Sequence, residues 1–405
     1  MKMKLWGYDF YRRLVRGAAV LALGAAMGAT AASAQDFGKG DDVHFWPGNL
    51  VVSRSVYHND SKNVTVGEAL PPNCPAATGS CVTAVANGLY PYVFNNAPVD
   101  ASFGVTSKIF LDQMTPFGFW LNTLEVPNSL QHDATSTKDQ MVTSFSSKSE
   151  LALNLSLDGR YITFMGYVAP VDAVDVSNSN TPIAPDPTNP VGEAVYRAVA
   201  QVDREGKFHF TETNAYSGNN GRAAVLNNID GADFFYTSGN AGKGANPQPT
   251  NVVLGAGAQF INPTEEHEND QAPELPTRLG AFSITEIPGD KADKVGKDDN
   301  YRGLRIFNNV VYYTKGSGGN GANTVYFVDT TGSACPKGIG LPSNSATLPS
   351  TPFSAFNPAT GTPTNMCILA GFPSTSNKVV NPVNFPFGIW FANANTLYVA
   401  DEGDG

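Results

Sequence analysis

The chain of 405 residues carries 26 Lys and Arg against 36 Asp and Glu, a formal net charge of −10, with 41% hydrophobic and 15% charged residues. That much apolar material supports a large core and excludes global disorder, and the 40 Gly and 28 Pro lack a collagen period. The low charged fraction excludes a coiled coil; a wealth of Asn, Ser, Thr, Gly and Tyr suits short strands joined by turns better than a helical bundle.

Five basic residues, Lys2, Lys4, Arg12, Arg13 and Arg16, precede an apolar run of about twelve residues from Ala18 to Ala29. The run is too short to cross a hydrocarbon core of roughly 30 Å. With the small-residue triplet Ala32-Ser33-Ala34 before Gln35, this is the layout of a cleavable signal peptide spanning residues 1–34. Arg12-Arg13 gives a superficial likeness to a twin-arginine signal, and an uncleaved anchor is the competing reading. Cleavage leaves a mature chain of 371 residues, 35–405, with 21 basic and 35 acidic residues and a net charge of −14. No Lys/Arg cluster survives to neutralise phosphates, so a nucleic-acid partner is not expected. No later apolar run approaches membrane-span length, and the expected location is periplasmic or extracellular.

Downstream, Asn49-Leu-Val-Val-Ser53 reads as a strand, with Val105 to Leu111 and Phe117 to Leu121 as further strands of the same unit. They are separated by an insertion over residues 58–102. Within it Cys74 and Cys81 flank a Pro/Gly/Ala-rich loop in which the backbone can turn back, so a local disulfide is expected. Cys335 and Cys367 flank a second Pro/Ser/Thr-rich insertion and are expected to pin its ends, although four cysteines allow three connectivities.

The strongest internal signal is a recurring pair of apolar runs joined by a tight polar turn. It appears as Leu151 to Leu155, Asp158-Gly159 and Tyr161 to Gly166; then as Arg222 to Leu226, Asp230-Gly231 and Phe234 to Gly239. It returns as Gly303 to Phe307, Asn308-Asn309 and Val311 to Gly316, and as Gly388 to Phe391, Asn393 to Asn395 and Leu397 to Ala400. The glycines closing the second runs, Gly166, Gly239, Gly316 and Gly403, are spaced by 73, 77 and 87 residues. Further strands are expected at Ala194 to Val202, Lys207 to Thr211, Arg278 to Ile284 and Asn323 to Asp329, giving three or four strands per unit. Runs such as Phe234-Phe235-Tyr236 and Val310 to Tyr313 are continuously apolar, as expected when a sheet is covered on both faces. The expected fold is therefore an all-β propeller of three- to four-stranded blades; a β-sandwich and a β-helix are the competing architectures.

The segments Leu397-Tyr-Val-Ala-Asp401 and Ser156-Leu-Asp-Gly-Arg160-Tyr161 resemble the strand and turn motifs of secreted bacterial β-propellers of the broad YVTN/NHL and lactonase-like group. The resemblance implies radial blades around a central channel, and no particular substrate, because such folds host hydrolases, electron-transfer domains and binding modules. About four full units and part of a fifth are countable, so C-terminal blades are expected to be missing from a six- or seven-bladed ring; a smaller ring is the alternative.

Chemistry is sparsely marked. There is no phosphate-binding loop, no G-x-G-x-x-G after a strand and no G-x-S-x-G elbow. Gly316 to Gly321 joins two strands and reads as a flexible loop. The histidines, His44, His58, His132, His209 and His267, are far apart, and Glu265-Glu266-His267-Glu268 reads as a solvated acidic loop. Asp158, Asp230 and Asp401 to Asp404 sit at turns where calcium could bind, although Asp-Gly is equally a favoured turn. No residue is assignable as catalytic, cofactor-binding or metal-ligating. Trp120 and Trp390 are expected to be packing anchors. The functional expectation is an exported binding or scaffold protein with a protein, small-molecule or carbohydrate partner; the alternative is a metal-dependent lactonase-like hydrolase.

Overall fold

The computed structural model describes residues 43–56, 65–74, 81–84, 104–131, 140–144, 151–182, 192–240, 257–263, 277–278, 300–316, 321–335, 338–350, 366–375, 377 and 380–401. Residues 1–42, the expected signal peptide included, lie outside them. Among the described residues the fold is all-β, with one turn of 3-10 helix at Val176–Asn178 and no α-helix.

The strands form four larger antiparallel sheets in chain order. In the first, β1 (Leu50–Val56) pairs with β4 (Thr106–Met114), which also pairs with β5 (Trp120–Glu125) and, through its first residues, with β6 (Thr143–Ser144). Between β1 and β4 in the chain, β2 (Ala69–Leu70) and β3 (Val82–Thr83) make a small ribbon beside the Cys74–Cys81 disulfide. The second sheet is a meander of β7 (Asn154–Leu155), β8 (Ile162–Tyr167), β9 (Arg197–Val202) and β10 (Phe208–Thr213). The third is another, of β11 (Gly221–Asn227), β12 (Phe234–Gly239), β13 (Ala258–Ile261) and β14 (Thr277–Arg278). The fourth runs β15 (Tyr301–Phe307), β16 (Val310–Lys315), β17 (Thr324–Val328) and β19 (Met366–Leu369), with β18 (Ile339–Gly340) added parallel to β19. A last hairpin joins β20 (Pro386–Asn393) to β21 (Thr396–Asp401).

All four expected hairpins form, each by its own turn chemistry. Asn308 and Asn309 both adopt positive φ, 47° and 59°, and join Phe307 directly to its partner Val310. This is the two-residue turn whose twist matches that of the strands, and asparagine tolerates it. At the first hairpin Gly159, with φ 73°, closes a turn by donating its N–H to the Ser156 carbonyl at 2.9 Å.

The sheets stack face to face in chain order, and the two-residue period of each strand explains how. On β11, Ala224 and Leu226 pack with Met165 and Val199 of the second sheet, whereas Ala223 and Val225 pack with Tyr301, Leu304 and Tyr313 of the fourth. On β16, Val311 and Tyr313 face back toward the third sheet, while Val310 and Tyr312 face Phe391, Leu397 and Val399 of the last hairpin. A sheet with neighbours on both faces has no polar face to show, hence the unbroken apolar runs. Between the first two sheets, Ile109 and Leu111 meet Phe164, Ala198 and Ala200.

The glycines that close the second strands lie where neighbouring chain approaches. A Cβ on Gly166 would stand 2.6 Å from the Val142 carbonyl oxygen, and one on Gly316 would stand 2.6 Å from that of Pro386. Gly403 lies outside the described residues.

Candidate functional site

The second and third sheets are locked together at one end. The first hairpin donates from the Leu157 N–H to the Leu226 carbonyl at 2.9 Å and from the Asp158 N–H to Asn228 Oδ1 at 3.2 Å. Beside this lock opens a cleft of about 400 Å³. Its walls are Arg160 and Tyr161 from the hairpin turn, Gln201, Asp203, Lys207 and His209 from β9, β10 and their connecting turn, and Asn228 and Asp233 from the facing hairpin.

Local turn chemistry fixes the wall residues. Asp158 accepts hydrogen bonds from Ser156 Oγ at 2.7 Å, from the Arg160 N–H at 3.1 Å and from the Arg160 guanidinium. Burial pushes the Asp158 carboxyl up, but these donors outweigh it and hold the group well below the usual carboxylate range. Arg160 is thereby positioned with its guanidinium 5.9 Å from the Tyr161 ring centroid. Across the cleft Asp203 Oδ1 accepts the Lys207 N–H at 2.8 Å and shapes the β9–β10 turn. The Gln201 Oε1 atom is buried and has no hydrogen-bond partner among the described residues. The cleft thus gathers cationic, anionic, amide and aromatic groups, a composition suited to orienting a polar ligand by hydrogen bonds rather than to holding a bare ion.

At the opposite end of the second sheet, Arg197 is fully buried. Its guanidinium donates to the carbonyls of Val195, Ser177, Ser179 and Asn219 and lies 5.1 Å from the Tyr167 ring centroid. It ties three loop segments to the start of β9. Nearby in sequence, Asp175 is fully buried in a left-handed backbone conformation, φ 57°, with Oδ1 accepting from Asn178 Nδ2 at 2.6 Å. Its Oδ2 has no partner among the described residues, and burial pushes this carboxyl up to about 7 against the smaller opposing effect of Asn178.

The residues singled out from sequence are dispersed. Both expected disulfides are present, Cys74–Cys81 and Cys335–Cys367, each with 5.9 Å between Cα atoms. Asp329, Cys335 and Cys367 form a compact group of potential metal ligands, but the sulfurs are joined to each other. Asp329 accepts the N–H groups of Thr331 and Ala334 and so caps the loop leading to the disulfide. Among the turn aspartates considered for calcium, Asp158 is engaged as above, Asp230 takes positive φ in an exposed turn, and Asp401 Oδ2 accepts the Phe385 N–H at 2.9 Å. Of the histidines, His209 lines the cleft and His44 packs edge-on against Trp46 with ring centroids 4.4 Å apart. His58, His132, His267, the Glu265 to Glu268 run, Asp404 and residues 317–320 of the glycine-rich loop lie outside the described residues.

Trp120 and Trp390 do not act as buried anchors: they are 54% and 51% exposed. Trp120 donates through Nε1 to Thr123 Oγ1 at 3.1 Å, and Trp390 lies 6.2 Å from Tyr398, itself exposed. The alternating partner of Trp390, Phe391, is the one turned toward the fourth sheet. Sequence reasoning missed Arg197, because a charged residue inside a β pattern reads as solvent-facing until loops close over it, and Asp175, because an aspartate in a polar turn reads as exposed. It also missed the cleft as a site, since its walls come chiefly from three separate segments, at Arg160 and Tyr161, from Gln201 to His209 and from Asn228 to Asp233. No family model, curated protein or solved structure matches the chain.

Proposed function

We propose that the protein is an exported β-propeller binding module whose ligand enters the cleft between the second and third sheets. The observation that carries this reading is the stacking of successive antiparallel sheets in chain order, the second, third and fourth each packed on both the preceding and the following element, with a mixed polar and aromatic cleft left between two of them. Successive meanders related in this way are the material of radial blades, and a concave cleft with a few convergent polar groups is the default place to expect a ligand. Export is supported by the basic and apolar pattern of residues 1–34 and by two disulfides, which persist in oxidising compartments. The net acidity disfavours a nucleic-acid partner.

The test has two arms. Expression of the whole chain in a bacterial host, followed by N-terminal sequencing of the product outside the cytoplasm, is expected to give a chain starting at Gln35; retention of Met1 on a cytoplasmic product overturns export. Metal analysis of the purified protein separates the binding module from a lactonase-like hydrolase. A stoichiometric divalent cation, with lactone hydrolysis abolished by chelation, replaces the binding reading with the hydrolytic one.

A further inference from the structure

Resting on the reading of the cleft as a ligand site, we infer that it takes an uncharged carbohydrate of one or two rings. Its charges oppose one another: the Arg160 guanidinium is engaged by Asp158, and Asp203 and Asp233 stand among the same walls as Arg160 and Lys207. A strongly anionic ligand meets the two aspartates, and a cationic one meets the arginine and the lysine. Hydroxyl groups answer both, because each donates one hydrogen bond and accepts others.

Two further observations point the same way. Gln201 lines the cleft, and its Oε1 is tucked away with no donor among the described residues, so this side chain gains a hydrogen bond when it turns to meet a ligand hydroxyl. Tyr161 supplies an aromatic ring beside these polar groups, the combination that receives the apolar C–H face of a sugar while its hydroxyls are held at the edge. The volume, about 400 Å³, lies toward the small end of ligand pockets and suits one or two rings rather than a long chain.

The experiment is a calorimetric and NMR titration of the mature chain with glucose, galactose, maltose and cellobiose, with glucuronate as the charged counterpart and a dipeptide as a non-sugar polar probe. The expected result is saturable binding of at least one neutral sugar, weakened at least tenfold in Tyr161→Ala and in Gln201→Ala but retained in Tyr161→Phe, which keeps the ring. Circular dichroism and melting of each variant show that it is folded. Tighter binding of glucuronate than of every neutral sugar overturns the uncharged class, as does neutral-sugar binding that neither variant alters. If no sugar binds while the dipeptide shifts cleft resonances, the carbohydrate assignment fails and the cleft remains a ligand site. If no probe perturbs the cleft at all, the site reading and the carbohydrate assignment fail together.

Discussion

Phe307 at the end of β15 and Phe391 near the end of β20 lie parallel, ring centroids 4.5 Å apart and planes within 4°, across the junction between the fourth sheet and the last hairpin. Tyr312 adds a tilted contact to the same Phe391 ring at 4.6 Å. Phe391 is thus one of the contacts, with Ile389, Leu397 and Val399, by which a two-stranded hairpin, marginal by itself, is held to the body. Phe391→Ala is expected to cost about 2 kcal/mol, below the usual cost of truncating a fully enclosed phenylalanine. Amide exchange in β20 and β21 should rise while β11 and β12 stay protected. Uniform exchange across all sheets would show the hairpin to be an integral part of one cooperative unit.

Asp158 organises the hairpin turn that carries two cleft residues. Its carboxyl is lowered by its donors, so the stabilisation it gives is present above the ordinary carboxylate range near pH 4 and is lost as pH falls through its lower folded value. Asp158→Asn is expected to lower the urea midpoint at pH 7, with the difference from wild type narrowing steadily as the pH falls below about 4. A difference that stays the same between pH 7 and pH 2 would assign the loss to turn geometry rather than to charge.

The two disulfides close loops of unequal length, with sequence separations of 7 and 32. Chain-entropy reasoning gives about 2.5 kcal/mol for the shorter and about 3.5 kcal/mol for the longer. Cys367 is also fully buried in the core shared by the fourth sheet and the hairpin, whereas Cys81 is only half-buried. Denaturant unfolding of Cys335→Ser/Cys367→Ser should therefore show the larger loss, and Cys74→Ser/Cys81→Ser the smaller. The reverse order would mean that the small β2–β3 ribbon supports more of the fold than its size implies.

The hairpins were legible because their turns are written in residues that tolerate positive φ, such as Asn308, Asn309, Asp230 and Gly231. The outer strands were less so. β13, Ala258–Ile261, and β19, Met366–Leu369, are four-residue segments, fully buried and without a turn dipeptide to frame them, and their pairing with β12 and β17 is decided by packing. His209 was legible as a strand residue, but the facing Asn228 and Asp233 come from another sheet, and no local pattern announces which sheets become neighbours.

Asp175 makes the sharpest solution prediction. The folded state holds its carboxyl near 7, whereas an unfolded chain holds it near 4. The folded protein therefore binds this proton more tightly, and its contribution is fully present below about pH 4 and is lost as pH rises toward 7, a span worth on the order of 4 kcal/mol. The opposite slope expected from Asp158 acts only at more acidic pH, so the two windows separate. Asp175→Asn keeps a side chain that tolerates the left-handed backbone and cannot ionise. Its stability should be nearly flat between pH 4 and pH 7, and it should exceed wild type at pH 7.5. If the wild type shows no decline over that interval, a donor or cation reaches Oδ2 in solution, and added calcium or chelator would then distinguish the two by shifting the melting temperature or leaving it unchanged.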